Sequence, residues 1–113
     1  MEKKKLTFNE YQDFTDTTAS YPKDVALYYT ALGLAGEAGE YADKVKKVIR
    51  DHNGILSDDL ILALAKELGD VQWYIAQAAR VLKHTLEEIA ELNKNKLTNR
   101  LKNNTLHGSG DDR

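Results

Sequence analysis

LYYTALGLAGEAGEYADKVKKVIR, residues 27–50, carries the pattern that decides the fold. Leu27, Ala31, Leu34, Ala38, Tyr41, Val45 and Val48 recur at alternating steps of four and three, the spacing of one helical face. Val25, Leu32, Ala35 and Ala42 widen that face beyond a single seam. Set into the same stretch are Glu37 and Glu40, three residues apart and therefore directed to the same side of a helix. A matching doublet, Glu67 and Asp70, interrupts a second apolar stretch with the stripe Leu60, Leu64, Leu68, Val71, Ile75, Ala78 and Leu82. Carboxylates in apolar surroundings need compensation. Four of them converging require a concentrated positive charge, which a divalent cation supplies, and this points to metal-assisted chemistry.

Working outward, Thr7-Phe8-Asn9-Glu10 fits a capping box, with Leu6 and Tyr11 placed as a hydrophobic staple, and predicts a first helix from Phe8 to Ala19. Tyr21-Pro22 breaks it, and Pro22 is suited to open the next helix, expected from Lys23 to Arg50. Asp51-His52-Asn53-Gly54 reads as a turn. Ser57 with Asp58 and Asp59 starts a third helix, the acids complementing its N-terminal dipole. Thr85-Leu86-Glu87-Glu88 is a second capping box, opening a fourth helix that runs to about Leu101. Residues 103–113, rich in Asn, Gly and Asp, read as an irregular tail. The expectation is one all-α domain over residues 1–113, a four-helix chain forming a bundle. The second and third helices are apolar around much of their circumference, more than one small monomer covers, which predicts a homo-oligomer, dimer or tetramer.

Composition narrows the function. With 16 Lys+Arg against 18 Asp+Glu the chain lacks the basic surface of a dedicated nucleic-acid binder. There are no cysteines, so disulfides and thiolate metal sites are excluded. No stretch is long and apolar enough to span a bilayer, and Met1 to Lys5 lack the apolar run of a signal peptide, so a cytoplasmic protein without a membrane partner is expected.

The two long helices, joined by a short turn, should be antiparallel neighbours. Glu40 lies about as far before the turn as Glu67 lies after it, so the doublets come out level. Glu37, Glu40, Glu67 and Asp70 then offer oxygen ligands for a hard cation such as Mg²⁺, with Mn²⁺ as a substitute. A di-iron centre needs Glu-x-x-His motifs, and none of His52, His84 and His107 has a Glu three residues before it. Lys44 shares the stripe of Glu37 and Glu40 and serves either a phosphate or a salt bridge to Glu40. Gly33, Gly36 and Gly39 flank the doublet, a helix-weakening choice that suits close approach by another helix or a ligand.

These residues resemble the MazG-like family of all-α nucleoside triphosphate pyrophosphohydrolases. The likeness rests on Gly36-Glu37-Ala38-Gly39-Glu40 and Lys66-Glu67-Leu68-Gly69-Asp70, followed by Trp73-Tyr74, and extends from about Ala31 to Arg113. It implies a Mg²⁺-dependent enzyme that splits a nucleoside or deoxynucleoside triphosphate into the monophosphate and pyrophosphate, with Glu37, Glu40, Glu67 and Asp70 as metal ligands. It also implies phosphate binding by Asn93, Lys96 and Arg100, and the tail Thr105 to Arg113 is similar to that of short members. Asn93, Lys96 and Arg100 share one stripe of the fourth helix, where a fork and a point charge suit a polyphosphate; a solvated basic face is the alternative. Tyr74, one turn beyond Asp70, either contacts the nucleotide or is a buried tyrosine, and Trp73 reads as core. Outside enzymology, the same acids fit a non-catalytic helical interaction module or a nucleotide- or metal-sensing module.

Overall fold

The computed structural model describes residues 3–104 and 107–111. Among them the chain is helical, with no strand: α1 (Phe8–Thr18), a single 3₁₀ turn (Lys23–Val25), α2 (Ala26–His52), α3 (Asp58–Val81) and α4 (Leu86–Lys102). The expected four helices are present. Pro22 opens the 3₁₀ turn rather than α2 itself, because Val25 adopts φ −118° and ψ 24° and breaks the hydrogen-bond ladder before Ala26.

Local chemistry sets the helix ends. Thr85 accepts from the Glu88 amide at 3.0 Å while the Glu88 carboxylate accepts from the Thr85 amide at 3.1 Å, a complete capping box. At α1 the box is half made: Thr7 caps the Glu10 amide, but the Glu10 carboxylate accepts from the Thr7 hydroxyl instead of from its amide. The staple beside it is not closed either, since Leu6 is largely exposed while Tyr11 turns to the cluster of Ala76, Ala79 and Leu86. Ser57 caps α3 through the Leu60 amide at 3.2 Å. Asn53 (φ 55°) and Gly54 (φ 74°) end α2 in the left-handed region, with the Gly54 amide returned to the Val48 carbonyl at 3.0 Å.

α2 and α3 make the most extensive pairing, and α1 and α4 pack on α3 and on each other, while the backbones of α4 and α2 do not approach closely. The interior of the α1–α3–α4 corner is unusually polar. Gln12, 1% exposed, donates to the Ala76 carbonyl at 3.1 Å and the His84 carbonyl at 3.0 Å, and accepts from the Leu86 amide at 3.1 Å. Gln77 accepts from the Tyr21 hydroxyl at 2.6 Å and donates to Thr15 and Asp16. Arg80 completes the seam with ion pairs to Asp13 and Asp16.

Elsewhere the apolar surface is left open. Leu32, Ile49, Leu62 and Leu82 are all more than half exposed, and Leu27 and Leu68 nearly so. The Cα radius of gyration is 17.2 Å, against about 13 Å for a compact domain of this length. Accessible surface is 8774 Å², where a folded monomer of this mass has roughly 6,200 Å².

Gln12→Ala should lower stability by roughly 2–4 kcal/mol, because two buried backbone groups and one partly buried group lose a partner at once. Denaturant unfolding should show a lower midpoint with an unchanged slope; an unchanged midpoint would refute this role.

Candidate functional site

The antiparallel course of α2 and α3 brings the acidic doublets together. One carboxylate oxygen from each of Glu37, Glu67 and Asp70 falls in a group whose members lie within 4.8 Å of one another. Glu37 and Glu67 are half-buried and Asp70 is exposed. Glu40, one turn further along α2 and exposed, stands outside this group of three. Its charge still reaches the group, since the Glu37 carboxyl is held above its ordinary value near 4.5 by burial first, then by Asp70, Glu67 and Glu40.

Lys44 is the local counter-charge. Its ammonium lies 2.6 Å from a Glu67 oxygen across the helix pair, so the expected bridge to Glu40 within α2 is replaced by one between helices. The bond to Glu67 raises the Lys44 pKa, with Glu40 and Asp70 adding to it. One ammonium faces four carboxylates, and the group is left short of positive charge.

An aromatic cluster adjoins the acids. The ring of Tyr74 packs directly on the α2 backbone at Gly33, where an added Cβ would collide with the ring carbons. Gly33 is thus a glycine that close approach requires, whereas nothing comes within 4 Å of a Cβ built at Gly36 or Gly39. Burial, then the neighbouring Tyr29 hydroxyl, then Glu37 and Asp70, push the Tyr74 hydroxyl up. Tyr11 of α1 is pushed up by burial and by Asp70. Trp73, expected as core, is half-buried and donates its indole N–H to Thr18 at 2.8 Å.

The basic stripe of α4 is engaged by the tail. Arg100 is not a solvated cation: it is 6% exposed and donates to the carbonyls of Gly110 and Asp111 at 3.2 and 3.3 Å. Lys96 pairs with the Asp111 carboxylate at 3.1 Å. Asn93 is exposed and borders a cavity of about 310 Å³ shared with Phe8, Gln72 and Ile75. Thr105, Leu106, Asp112 and Arg113 of the tail lie outside the described residues.

Three oxygen donors in close convergence fit a hard divalent ion. Oxygens sharing one Mg²⁺ lie at most about 4.2 Å apart, twice the bond length, and the three donors lie within 4.8 Å of one another. With this geometry the comparison with known proteins is direct: residues 28–105 match the MazG nucleotide pyrophosphohydrolase domain. The chain belongs to the MazG family. Gene 37 protein of Mycobacterium phage L5 is 42% identical over 109 residues, spanning 91% of this chain and 96% of that protein. No solved structure matches the chain. Both acidic doublets of this MazG domain, and all of α2 beyond Leu27, lie within the matched residues. No described helix is long and apolar enough to cross a membrane.

The residues that sequence reading overlooked are Tyr29 and Gln12. Tyr29 sits in a run of adjacent aromatics whose order gives no hint of a partner on α3, and Gln12 looks like any polar helix residue until its partners, 64 to 74 residues away, are in place.

Folded Glu37 holds its proton more tightly than the unfolded chain does, so the native state loses relative stability as pH rises through the window just above 4.5. In chelator, Glu37→Gln should therefore melt higher than the unsubstituted protein at about pH 7, with the gap closing at about pH 4. A variant that melts lower at neutral pH would contradict the repulsion.

Proposed function

We propose that this protein hydrolyses nucleoside or deoxynucleoside triphosphates to the monophosphate and pyrophosphate, using a divalent metal held between α2 and α3. The observation that carries this reading is the convergence of the Glu37, Glu67 and Asp70 oxygens within 4.8 Å, in a chain of the MazG family. Mg²⁺, or Mn²⁺ in its place, would be held by these three, with Glu40 one turn away as a fourth acid. Bound there, the ion supplies charge neutralisation and polarisation of phosphate oxygens.

The chain's own groups set the rest. The net reaction adds water across one phosphoanhydride bond: the water oxygen bonds to one phosphorus, the bridging oxygen departs with the other, and a proton is released. Glu37, Glu67 and Asp70 would hold the ion, and a carboxylate of the cluster or solvent would take the proton. Lys44, within reach of Glu67, would offer a point charge to a phosphate oxygen. Asn93, Lys96 and Arg100 of α4 remain candidates for phosphate contact, although the backbones of α4 and α2 do not approach closely within one chain.

The open apolar faces support a homo-oligomer, dimer or tetramer. The surface in excess of a compact monomer is about three times the roughly 800 Å² that each partner of a standard complex covers. Sedimentation at micromolar concentration should give a multiple of 12.7 kDa; the monomer mass would refute it.

A non-catalytic interaction or sensing module is the second reading, favoured by the Lys44–Glu67 ion pair, which compensates part of the cluster without any ligand. A panel of nucleoside triphosphates with Mg²⁺, read by pyrophosphate release, separates the two. The Glu67→Gln, Asp70→Asn double variant should lose at least about a hundredfold in turnover, the equivalent of a few kcal/mol of transition-state stabilisation, while keeping its helicity. Turnover like that of the unsubstituted protein would sink the assignment.

A further inference from the structure

The acidic group carries a cation supplied by the chain itself. Glu37, Glu67 and Asp70 place three carboxylate oxygens within 4.8 Å of one another, and Glu40 adds a further charge one turn along α2. The ammonium of Lys44 reaches into this group and stands 2.6 Å from a Glu67 oxygen. Lys46 and Lys47 are turned elsewhere, both pairing with Asp43, at 2.7 and 2.9 Å. Lys44 follows Glu40 by one turn and Glu37 by two, on the same side of α2, so helix geometry delivers its ammonium to the cluster.

The bridge is unlike an ordinary surface pair. The Lys44 side chain is 46% exposed, whereas that of Glu67 is only 15% exposed. A pair with both ends in solvent opens readily. Here the carboxylate end is shielded, and a shielded carboxylate is costly to leave uncompensated.

Charge then limits what else the cluster accepts. Glu37, Glu40, Glu67 and Asp70 carry four negative charges when ionised. One divalent ion with the ammonium leaves a single negative charge. Two divalent ions beside the ammonium reverse the sign, and the second also needs the carboxylate that Lys44 holds. An ammonium is a compact point charge that imposes no coordination geometry of its own. In two-metal phosphoryl-transfer centres the ions lie about 3.5–4 Å apart, clamping the attacking and leaving oxygens together.

We infer that Lys44 is a resident cation of the acidic centre, taking the place of a second divalent ion and limiting the centre to one. This rests on the reading of the acids as a divalent-metal centre and adds which cations share it. Lys44 supplies from the chain the charge that a second ion brings elsewhere, so occupancy of the centre follows a single metal-binding step.

Counting bound Mn²⁺ on the full chain, without nucleotide, tests this. Titrations followed by the paramagnetic resonance of unbound Mn²⁺ should give one ion per chain for the unsubstituted protein and for Lys44→Arg. Lys44→Met and Lys44→Gln, both good helix formers, should bind two. The two ions should share carboxylates, so these variants should show the exchange-coupled spectrum of a Mn²⁺ pair. Lys47→Met, which removes a neighbouring charge already paired with Asp43, should still bind one. Circular dichroism should show the same helicity throughout. Two ions on the unsubstituted protein, one on both Lys44→Met and Lys44→Gln, or a second ion without coupling overturns the inference and leaves the metal centre standing. A second ion on Lys47→Met as well overturns it too, because net charge would then suffice. An unsubstituted protein that binds no Mn²⁺ overturns the metal centre and the inference together. One ion, a coupled pair in Lys44→Met and no pyrophosphate release from any triphosphate overturn hydrolysis alone.

Discussion

The pairing of α2 with α3 is maintained against the mutual repulsion of the carboxylates it brings together. Glu37 registers that repulsion as a raised proton affinity, with the other three acids all contributing after burial. Two contacts bracket the strain. On one side the Tyr74 ring is seated on the bare backbone of Gly33, and on the other Lys44 bonds Glu67 across the gap. The acids are therefore fixed by neighbours that are not themselves acidic, and the spacing of the cluster is a property of the helix pair. A site of this kind favours any ligand that brings positive charge, because binding removes a cost already present in the native state.

The helices were legible because their signals are local. Thr7, Ser57 and Thr85 each cap the helix they precede, and Asn53-Gly54 turns the chain as its composition implies. The acidic doublets were legible for the same reason: a three-residue spacing and a short turn settle both direction and level. What stayed hidden depends on contacts between distant segments. The partner of Lys44 is on the facing helix, the close approach at Gly33 comes from a ring forty-one positions later, and Arg100 is enclosed by the folded tail. Periodicity identifies apolar faces but not what covers them, and so Leu27, Leu68 and Ile75 sit on predicted seams yet remain substantially exposed.

The division of labour between the two halves of the molecule follows from this. The α1–α3–α4 corner is held by hydrogen bonds with defined directions, through Gln12, Gln77, Thr15 and Tyr21. Such networks specify one arrangement because each buried polar group must find its partner. The α2–α3 groove relies on apolar and electrostatic contacts, which tolerate small adjustments. A directional corner thus anchors α3, and α3 presents Glu67, Asp70, Trp73 and Tyr74 to a more adaptable α2.

The Gln12 amide has a consequence for where this domain starts. The match to the family domain begins at residue 28, which leaves α1 outside it, while the likeness to the phage protein spans 91% of the chain. Yet one side chain of α1 serves a carbonyl of α3, a carbonyl of the following turn and the first amide of α4. The edge of the family match and the edge of the folded unit are different lines in this protein. A segment outside that match is tied through Gln12, Asp13, Thr15 and Asp16 to the helix that carries Glu67 and Asp70.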